Sequence, residues 1–203
     1  MTEYTKHQLW PTPVFQSKIK VKDEWLKMCD TTPYERMKTD NGDISIDRNI
    51  LNSTSLKKDI EEHIDLYVRD WLKIGENVKF YFTSSWLVKH KPKDWSGMHY
   101  HANSLLSGVY YLKVPENSGD IKFYKDGGKN AILETFRLDY SEYNFINTGV
   151  VAFNVKAGDL LLFPSSLSHS VTDNITNDTR YSLAFNCFIK GKLGKHEYAL
   201  DLK

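Results

Sequence analysis

The sequence has few of the features that mark secreted, membrane-bound or nucleic-acid-binding proteins. Only two of its 203 residues are cysteine, Cys29 and Cys187, and they do not form a C-x-x-C motif, so neither a cysteine zinc site nor a redox disulfide is expected. Apolar runs such as Asp159–Pro164 are far shorter than the roughly 20 residues that cross a bilayer. The N-terminus lacks a signal-like apolar stretch. We expect a cytoplasmic protein with no membrane partner.

The chain also lacks an excess of either charge. Lys and Arg number 27 and Asp and Glu 26, and no long block has a single sign, so a nucleic-acid partner is not expected. Repeats, low-complexity segments and Pro- or Gly-rich linkers are absent as well. With 40% hydrophobic residues, a chain of this length can bury one core. We expect a single domain spanning residues 1–203.

Residues 1–77 are expected to supply an N-terminal strand and a supporting helix. Two prolines within Leu9–Val21 disfavour helix, while the β-branched and aromatic residues there favour an extended strand at a sheet edge. Between Ser55 and Lys73, apolar residues recur at intervals of three and four, which predicts one amphipathic helix. Gly75 suits the end of that helix.

From residue 78 onward the pattern changes to short segments rich in aromatic and β-branched residues. Turn-forming residues separate them, which favours antiparallel sheets over a parallel α/β arrangement. The predicted strands are Val78–His90, Leu105–Val114, Asp120–Tyr124, Gly149–Asn154, Asp159–Phe163 and Arg180–Ile189. We therefore predict a mainly β fold with flanking helices, a cupin-like double-stranded β-helix (jelly roll) with its core in residues 78–190.

Three of the seven histidines occur in a pattern that indicates a metal site. His99 and His101 are two residues apart, so both imidazoles would point to one side of an extended segment. His169 follows a strongly apolar strand that would hold it rigidly. Three nitrogen ligands leave positions open for other molecules, as iron(II) requires to bind a keto acid and dioxygen, whereas a closed structural site uses four. The alternative is that the H-x-H pair is simply exposed on a strand.

A candidate anion-binding residue comes eleven residues after His169. Arg180 begins a predicted strand and could point into the same cavity as the histidines, with Ser182 on the same face. A guanidinium grips a carboxylate through two parallel hydrogen bonds, and Ser182 could add a third. The alternative is a surface arginine in an ordinary ion pair.

The remaining histidines and Trp86 are not expected to take part in the metal site. His7, His63, His90 and His196 have no partner at ligand spacing and are expected to be exposed. Trp86 is expected to pack, and the alternative is that it forms a substrate-facing wall or lid with Trp95 and Met98.

These motifs, in their order and spacing, resemble the 2-oxoglutarate- and iron(II)-dependent dioxygenase superfamily, especially its small members in bacteria and their viruses. The resemblance covers most of the chain. It rests on Trp10-Pro-Thr-Pro-Val-Phe15, His99-Tyr-His-Ala-Asn-Ser-Leu-Leu-Ser-Gly-Val-Tyr-Tyr-Leu112, Ala157-Gly-Asp-Leu-Leu-Leu-Phe-Pro164, His169-Ser-Val171 and Arg180-Tyr-Ser-Leu-Ala-Phe-Asn186.

The resemblance implies a function and a set of site residues. It implies iron(II) and 2-oxoglutarate as cofactors, dioxygen as a reactant, and hydroxylation of an unidentified substrate with release of succinate and CO2. Tyr111 and Ser107 would contact the keto acid, and Tyr110 would face the opposite side. The family carries H-x-D or H-x-E where this chain has His99 and His101, so a shifted pair of His101 and Asn103 is an alternative. Otherwise Asn103 is expected among the cofactor-binding residues.

Two other functions fit parts of the pattern. A cupin-type dioxygenase or isomerase that does not use 2-oxoglutarate would also hold its metal with three histidines, although Arg180 and Ser182 argue against it. A non-catalytic jelly-roll binding module would explain the missing carboxylate. The sequence leaves the prime substrate open and is compatible with a homodimer.

Overall fold

Antiparallel strands make up most of the structure, a computed structural model that describes residues 5, 11–125 and 138–203. Two helices, α1 (Asp23–Thr31) and α2 (Leu56–Asp65), precede the long strands, and a π-helical turn, Leu66–Trp71, extends α2. The strands are β1 (Phe15–Lys18), β2 (Tyr34–Arg36), β3 (Asp43–Ser45), β4 (Val78–His90), β5 (Ser96–His99), β6 (Leu106–Lys113), β7 (Ile121–Tyr124), β8 (Val150–Phe153), β9 (Asp159–Pro164), β10 (His169–Val171), β11 (Arg180–Leu193) and β12 (Leu200–Leu202). Short 3-10 turns lie at Ile50–Ser53 and His196–Tyr198.

The strands form two sheets. The larger sheet has the order β1-β9-β6-β11-β4-β3-β2, with β12 paired to the end of β11, and the smaller has the order β5-β10-β7-β8. Every pairing between these strands is antiparallel. The predicted mainly β, jelly-roll class is confirmed.

The central strand β11 separates two cores because its side chains alternate between the two faces of the large sheet. Leu183 and Phe185 pack with the helices in one buried cluster that includes Trp25 and Ile60. On the opposite face, the large sheet and the smaller sheet enclose a second cluster with Tyr111, Leu161, Phe163, Ile121 and Phe123. Even-numbered residues of β11, beginning with Arg180, face this space between the sheets.

The N-terminal elements cover the outer face of the large sheet. In α1 the buried residues Trp25 and Cys29 are one helical turn apart, and the Trp25 indole donates a hydrogen bond to Ser55 Oγ at 3.0 Å. Trp25 also meets Tyr110 edge to face, with ring centroids 5.9 Å apart. Tyr110 therefore faces the helices, away from Tyr111, as predicted.

Most predicted elements occur within one to four residues of their expected bounds. β4 matches its prediction at both ends, and β1 lies at a sheet edge, as the prolines indicated. The predicted helix 55–73 is regular only to Asp65, and Lys73, with φ of 55°, ends its π-helical extension. Part of the predicted N-terminal extended segment, residues 9–10, lies outside the described residues. None of the helices in the described part of the chain is long and apolar enough to span a bilayer.

Gly108 allows β6 to pack closely against its neighbours. A Cβ at this position would overlap the ring of Phe185 and would lie 2.8 Å from Cδ2 of Leu162. Both neighbours are buried and have no room to move. We expect Gly108→Ala to lower the free energy of unfolding by about 1–3 kcal/mol through overpacking, measured by urea denaturation.

The matched control is Gly149→Ala, because a Cβ there would meet nothing within 4 Å. Its effect should stay within about 0.5 kcal/mol. Equal stabilities of the two variants would contradict this account of β6 packing.

Candidate metal centre

Three imidazoles meet at the open end of the space between the sheets. His99 ends β5 and His169 begins β10, and the two residues are direct partners in the antiparallel register. The ring centroids of His99 and His169 lie 4.4 Å apart. The ring centroid of His101 lies 5.1 Å from that of His169 and 5.2 Å from that of His99. One ligand atom from each residue lies within 4.8 Å of the others. The structure therefore brings all three predicted metal ligands together.

Backbone carbonyls fix the orientation of two of these rings in the same way. His99 Nδ1 lies 2.7 Å from the carbonyl oxygen of Gly97, and His169 Nδ1 lies 2.9 Å from that of Leu167. With Nδ1–H donating to a carbonyl, the lone pair of Nε2 is left for a metal. The repeated arrangement is typical of metal-ligating histidines.

His101 is positioned by different contacts. The sequence suggested that His99 and His101 lie in one strand. β5 instead ends at His99, so His101 lies two residues beyond it. Its backbone N–H donates to the carbonyl oxygen of Ser165 at 2.9 Å. Its ring lies beside the half-buried indole of Trp86, with centroids 5.8 Å apart. His101 is thus held by its backbone and by an aromatic neighbour.

The surroundings keep two of these imidazoles neutral. Burial, together with the neighbouring His169 and His99, lowers the pKa of His101 to about 3. Burial and the neighbouring His99 lower the pKa of His169 to about 4. Neutral imidazole is the form that ligates a metal, so these two residues need not lose a proton to bind one near neutral pH.

The donor set fits a divalent transition metal such as iron(II). Three imidazole nitrogens suit iron, nickel, copper or zinc, and three protein ligands leave coordination positions for small molecules. Among the described residues, no Asp or Glu belongs to this group.

A buried guanidinium lies on the large-sheet wall of the same space. Arg180 is 1% exposed, and its Nη1 donates to the carbonyl oxygen of Gly119 at 3.0 Å. Its Nε is buried and forms no hydrogen bond of good geometry among the described residues, and the same holds for the Tyr111 hydroxyl, although the two side chains lie close enough to affect each other's pKa. The Arg180 guanidinium carbon lies 5.0 Å from the centroid of the Tyr111 ring. Buried polar groups normally have partners, so this pocket fits an anion.

The pKa values agree with a cationic pocket that contains a neutral tyrosine. Burial lowers the pKa of Arg180, but an arginine remains protonated in proteins. Burial also raises the pKa of Tyr111 to about 12, so its hydroxyl is a hydrogen-bond donor at neutral pH. A carboxylate could accept from both groups.

The other predicted site residues are Ser182, Ser107 and Asn103, and their surroundings differ. Ser182 is the cross-strand partner of Tyr111 and is buried on the same face. Ser107 is also buried, but its hydroxyl lies 2.8 Å from Ser165 Oγ and donates to Asn186 Oδ1 at 2.8 Å. Asn103 has an exposed side chain and a left-handed φ of 55°. Nothing in the described structure joins it by a hydrogen bond to the other predicted residues.

Sequence reasoning missed His90 and Asn186, which border the site, and favoured packing for Trp86. His90, expected to be exposed, is 3% exposed and lies directly opposite Arg180 in the register of β4 and β11. Its Nε2 lies 3.1 Å from Ser96 Oγ, and burial lowers its pKa to about 4. Trp86 borders His101 besides packing, and Asn186 bonds to Ser107. Side chains alternate along a strand, so counting in steps of two from Arg180 could have found Asn186. His90 and Trp86 are placed by the pairing of β4 with β11, which has no local sequence signal.

The fold and the three-histidine centre together define a non-haem metal protein of the jelly-roll class. A family model described as "Putative 2OG-Fe(II) oxygenase" matches residues 84–186, slightly more than half of the chain, including all three histidines. The chain belongs to this family of 2-oxoglutarate- and iron(II)-dependent oxygenases. Membership makes iron(II) and 2-oxoglutarate its cofactors and favours an oxygenase over the two alternative functions.

Solved structures of distant sequence share the fold. The 2-oxoglutarate-dependent epimerase SnoN from nogalamycin biosynthesis is 12% identical, with a TM-score of 0.60 over 89% of this chain and 79% of that chain. HygX from Streptomyces hygroscopicus, with nickel and 2-oxoglutarate bound, is 10% identical, with a TM-score of 0.57 over 87% and 82%. A prolyl-4-hydroxylase from Pseudomonas putida is 13% identical, with a TM-score of 0.54 over 86% and 92%. No curated protein sequence matches the chain.

The position of His101 generates a prediction about metal affinity. Because its ring completes the three-nitrogen group, His101→Ala should weaken binding of cobalt(II), a spectroscopic substitute for iron(II), at least tenfold. Titration calorimetry and the cobalt d–d spectrum provide the measurement. His196→Ala, a change in an exposed 3-10 turn, is the control and should bind as the unmodified protein does. Unchanged affinity in His101→Ala would show that the third ligand comes from elsewhere.

Proposed function

We propose that His99, His101 and His169 hold iron(II), and that Arg180 binds the far carboxylate of 2-oxoglutarate, so that the chain hydroxylates a substrate with release of succinate and CO2. The observation that carries the proposal is the fully buried Arg180 guanidinium, which forms no ion pair with the described residues and lies beside the Tyr111 ring. Tyr111 belongs to the core between the sheets, in which Phe163 contacts His169, so a dicarboxylic keto acid could extend from the metal to Arg180.

Arg180 would both pair with the far carboxylate of the keto acid and fix the orientation of that molecule. Its guanidinium is already fixed at one end by the Gly119 carbonyl, which leaves Nε and the remaining N–H groups for a carboxylate. Tyr111 and Ser182 could donate to the same carboxylate, since they lie side by side on β6 and β11. Holding that end fixes the angle at which the keto acid reaches the metal.

The remaining residues would shape the metal's surroundings. When bound, the metal and the keto acid supply the oxidising chemistry. Phe123 and Phe163 pack around His169, with ring centroids 6.0 and 4.8 Å from its ring, and would exclude water from that side. We infer that Ser107 acts through Asn186, to which it donates. The role predicted for Asn103 in cofactor binding stays a prediction.

Three names among the structural relatives support this choice of chemistry. One relative holds nickel and 2-oxoglutarate, one is a 2-oxoglutarate-dependent epimerase, and one is a prolyl-4-hydroxylase. For this chain, hydroxylation is the proposed outcome, and dioxygen and a substrate are its partners.

The proposal extends to the whole chain. We infer one domain over residues 1–203, because β1 from the N-terminal part pairs with β9 of the core and α2 packs on the same large sheet. The cytoplasm is the proposed compartment, since both cysteines are free and buried thiols. A homodimer stays a prediction.

The role of Arg180 can be tested with two keto acids that differ at the far carboxylate. Anaerobic iron(II) with 2-oxoglutarate should give the weak visible charge-transfer band of the chelate, at a far lower concentration than 2-oxobutyrate requires. Because the guanidinium recognises the carboxylate that 2-oxobutyrate lacks, Arg180→Ala should abolish this preference. In air, unmodified protein should convert 2-oxoglutarate to succinate.

The control is Arg69→Ala, which removes an arginine that donates to the backbone carbonyls of Ile74, Gly75 and Val78 and pairs with Asp65 of α2. It should keep the preference for 2-oxoglutarate. Circular dichroism checks that both variants are folded. If the iron-loaded protein gives no band and no succinate, the proposed function is wrong, and if Arg180→Ala keeps the preference, only the assignment of Arg180 is wrong.

A further inference from the structure

We propose that Asn186, Ser84 and Trp86 form the subsite for the prime substrate, and that the subsite takes a neutral molecule with an acceptor oxygen, such as an amide carbonyl, beside an apolar ring or chain. The inference rests on the proposed function, because it takes the three histidines as the metal centre. It adds the chemical class of the substrate and the residues that select it.

The three residues lie on the inner face of the large sheet, near the middle of β11, whereas Arg180 begins that strand. Asn186 is six residues from Arg180 on the same face, a separation of roughly 20 Å along a strand. Ser84 is the partner of Asn186 across the β4–β11 pair, and Trp86 is the partner of Ala184. Since Trp86 borders His101, the subsite lies beside the metal centre, on the side away from the keto-acid pocket.

A chain of hydrogen bonds leads from the interior to this subsite. Ser165 Oγ donates to Ser104 Oγ and lies 2.8 Å from Ser107 Oγ. Ser107 Oγ donates to Asn186 Oδ1, and Asn186 Nδ2 donates to Ser84 Oγ at 3.3 Å. Ser107 and Ser165 are buried, whereas Asn186 and Ser84 are only half-buried. The chain therefore opens towards solvent at Asn186 and Ser84.

The open end has hydrogen-bonding capacity to spare. A side-chain amide carries two N–H groups and a hydroxyl carries one donor. Only one N–H of Asn186 is used, and the Ser84 hydroxyl donates to nothing within the described ranges. If the amide were turned over, Ser84 would donate to Asn186 Oδ1, and one N–H of Asn186 would still have no partner. Asn186 offers a donor in either orientation, so the complementary substrate atom is an acceptor oxygen.

The chemistry of the surroundings selects a neutral substrate. Every side chain that takes part in this hydrogen-bond chain is an uncharged serine or asparagine, so a charged group held at the open end would lose water without gaining an ion pair from the residues of the subsite itself. The half-buried indole of Trp86 offers an apolar face between the amide and His101. A ring or chain packed on that face would have its C–H bonds directed towards the metal centre.

Three six-membered-ring compounds of similar size test the selectivity: cyclohexanecarboxamide, cyclohexanecarboxylate and cyclohexylamine. The protein is loaded with cobalt(II) and 2-oxoglutarate, and broadening of the ring proton signals is measured by NMR, with zinc(II)-loaded protein as the diamagnetic blank. The carboxamide should be broadened at least fivefold more than either charged compound.

Asn186→Asp reverses the predicted preference while keeping the shape of the side chain and its capacity to accept from Ser107. Cyclohexylamine should then be broadened at least fivefold more than the carboxamide. Asn52→Asp makes the same chemical change at an exposed position whose side chain, within the described ranges, accepts a hydrogen bond from Lys57 alone, and it should keep the original order. If the carboxamide has no advantage in the unmodified protein, or the order is the same in Asn186→Asp, the subsite is wrong.

The iron(II) and 2-oxoglutarate charge-transfer band separates these outcomes from failure of the proposed function. It should form in unmodified protein and in both asparagine variants. Loss of the band only in Asn186→Asp would mean that Asn186 serves the metal and keto-acid site, and would overturn the subsite. Absence of the band from the unmodified protein would overturn the proposed function and the subsite with it.

Discussion

The alternation of side chains along β11 is the constraint on which the rest of the structure depends. This strand of 14 residues pairs with β4 on one side and β6 on the other, so it cannot shift by one residue without reversing every side chain. In the observed register Leu183 and Phe185 join the helix-covered core. Arg180 and Asn186 consequently face the cavity between the sheets. One choice of register therefore fixes the hydrophobic core and both ends of the candidate site.

The charges of the site complement a dianion. Two of the histidines are neutral because burial lowers their pKa values, so a divalent metal would keep its full charge. Arg180 adds another positive charge, which Asp120 affects from a distance without forming an ion pair. A buried cation of this kind is costly unless an anion pairs with it. In the proposed site, 2-oxoglutarate would place one carboxylate at each centre and offset two of the three positive charges. The third imidazole, in place of the carboxylate usual in the wider superfamily, would strengthen this demand for an anionic ligand.

Local patterns predicted much of the fold, because strands with strong alternation or continuous apolar runs carry their own signal. The bounds of β4 and the positions of β9 and β11 followed from such runs, and H-x-H, a distal histidine and R-x-S indicated the metal centre. The burial of His90 did not follow, because it depends on which strand pairs with β11 and in which register. Nor did the end of β5 at His99, since the H-x-H pattern is equally compatible with a strand that continues through His101.

Ser165 links the metal centre to the proposed substrate subsite. Its carbonyl oxygen accepts from the backbone N–H of His101, while its hydroxyl belongs to the hydrogen-bond chain that ends at Asn186. The residue is fully buried and directly follows β9, so it can shift only if that strand or the chain around His101 shifts with it. A substrate that orders Asn186 would therefore also restrict the segment that carries the third imidazole. Unlike His99 and His169, His101 has no ring hydrogen bond to a carbonyl in the described structure, and so it is the ligand whose position depends most on this link.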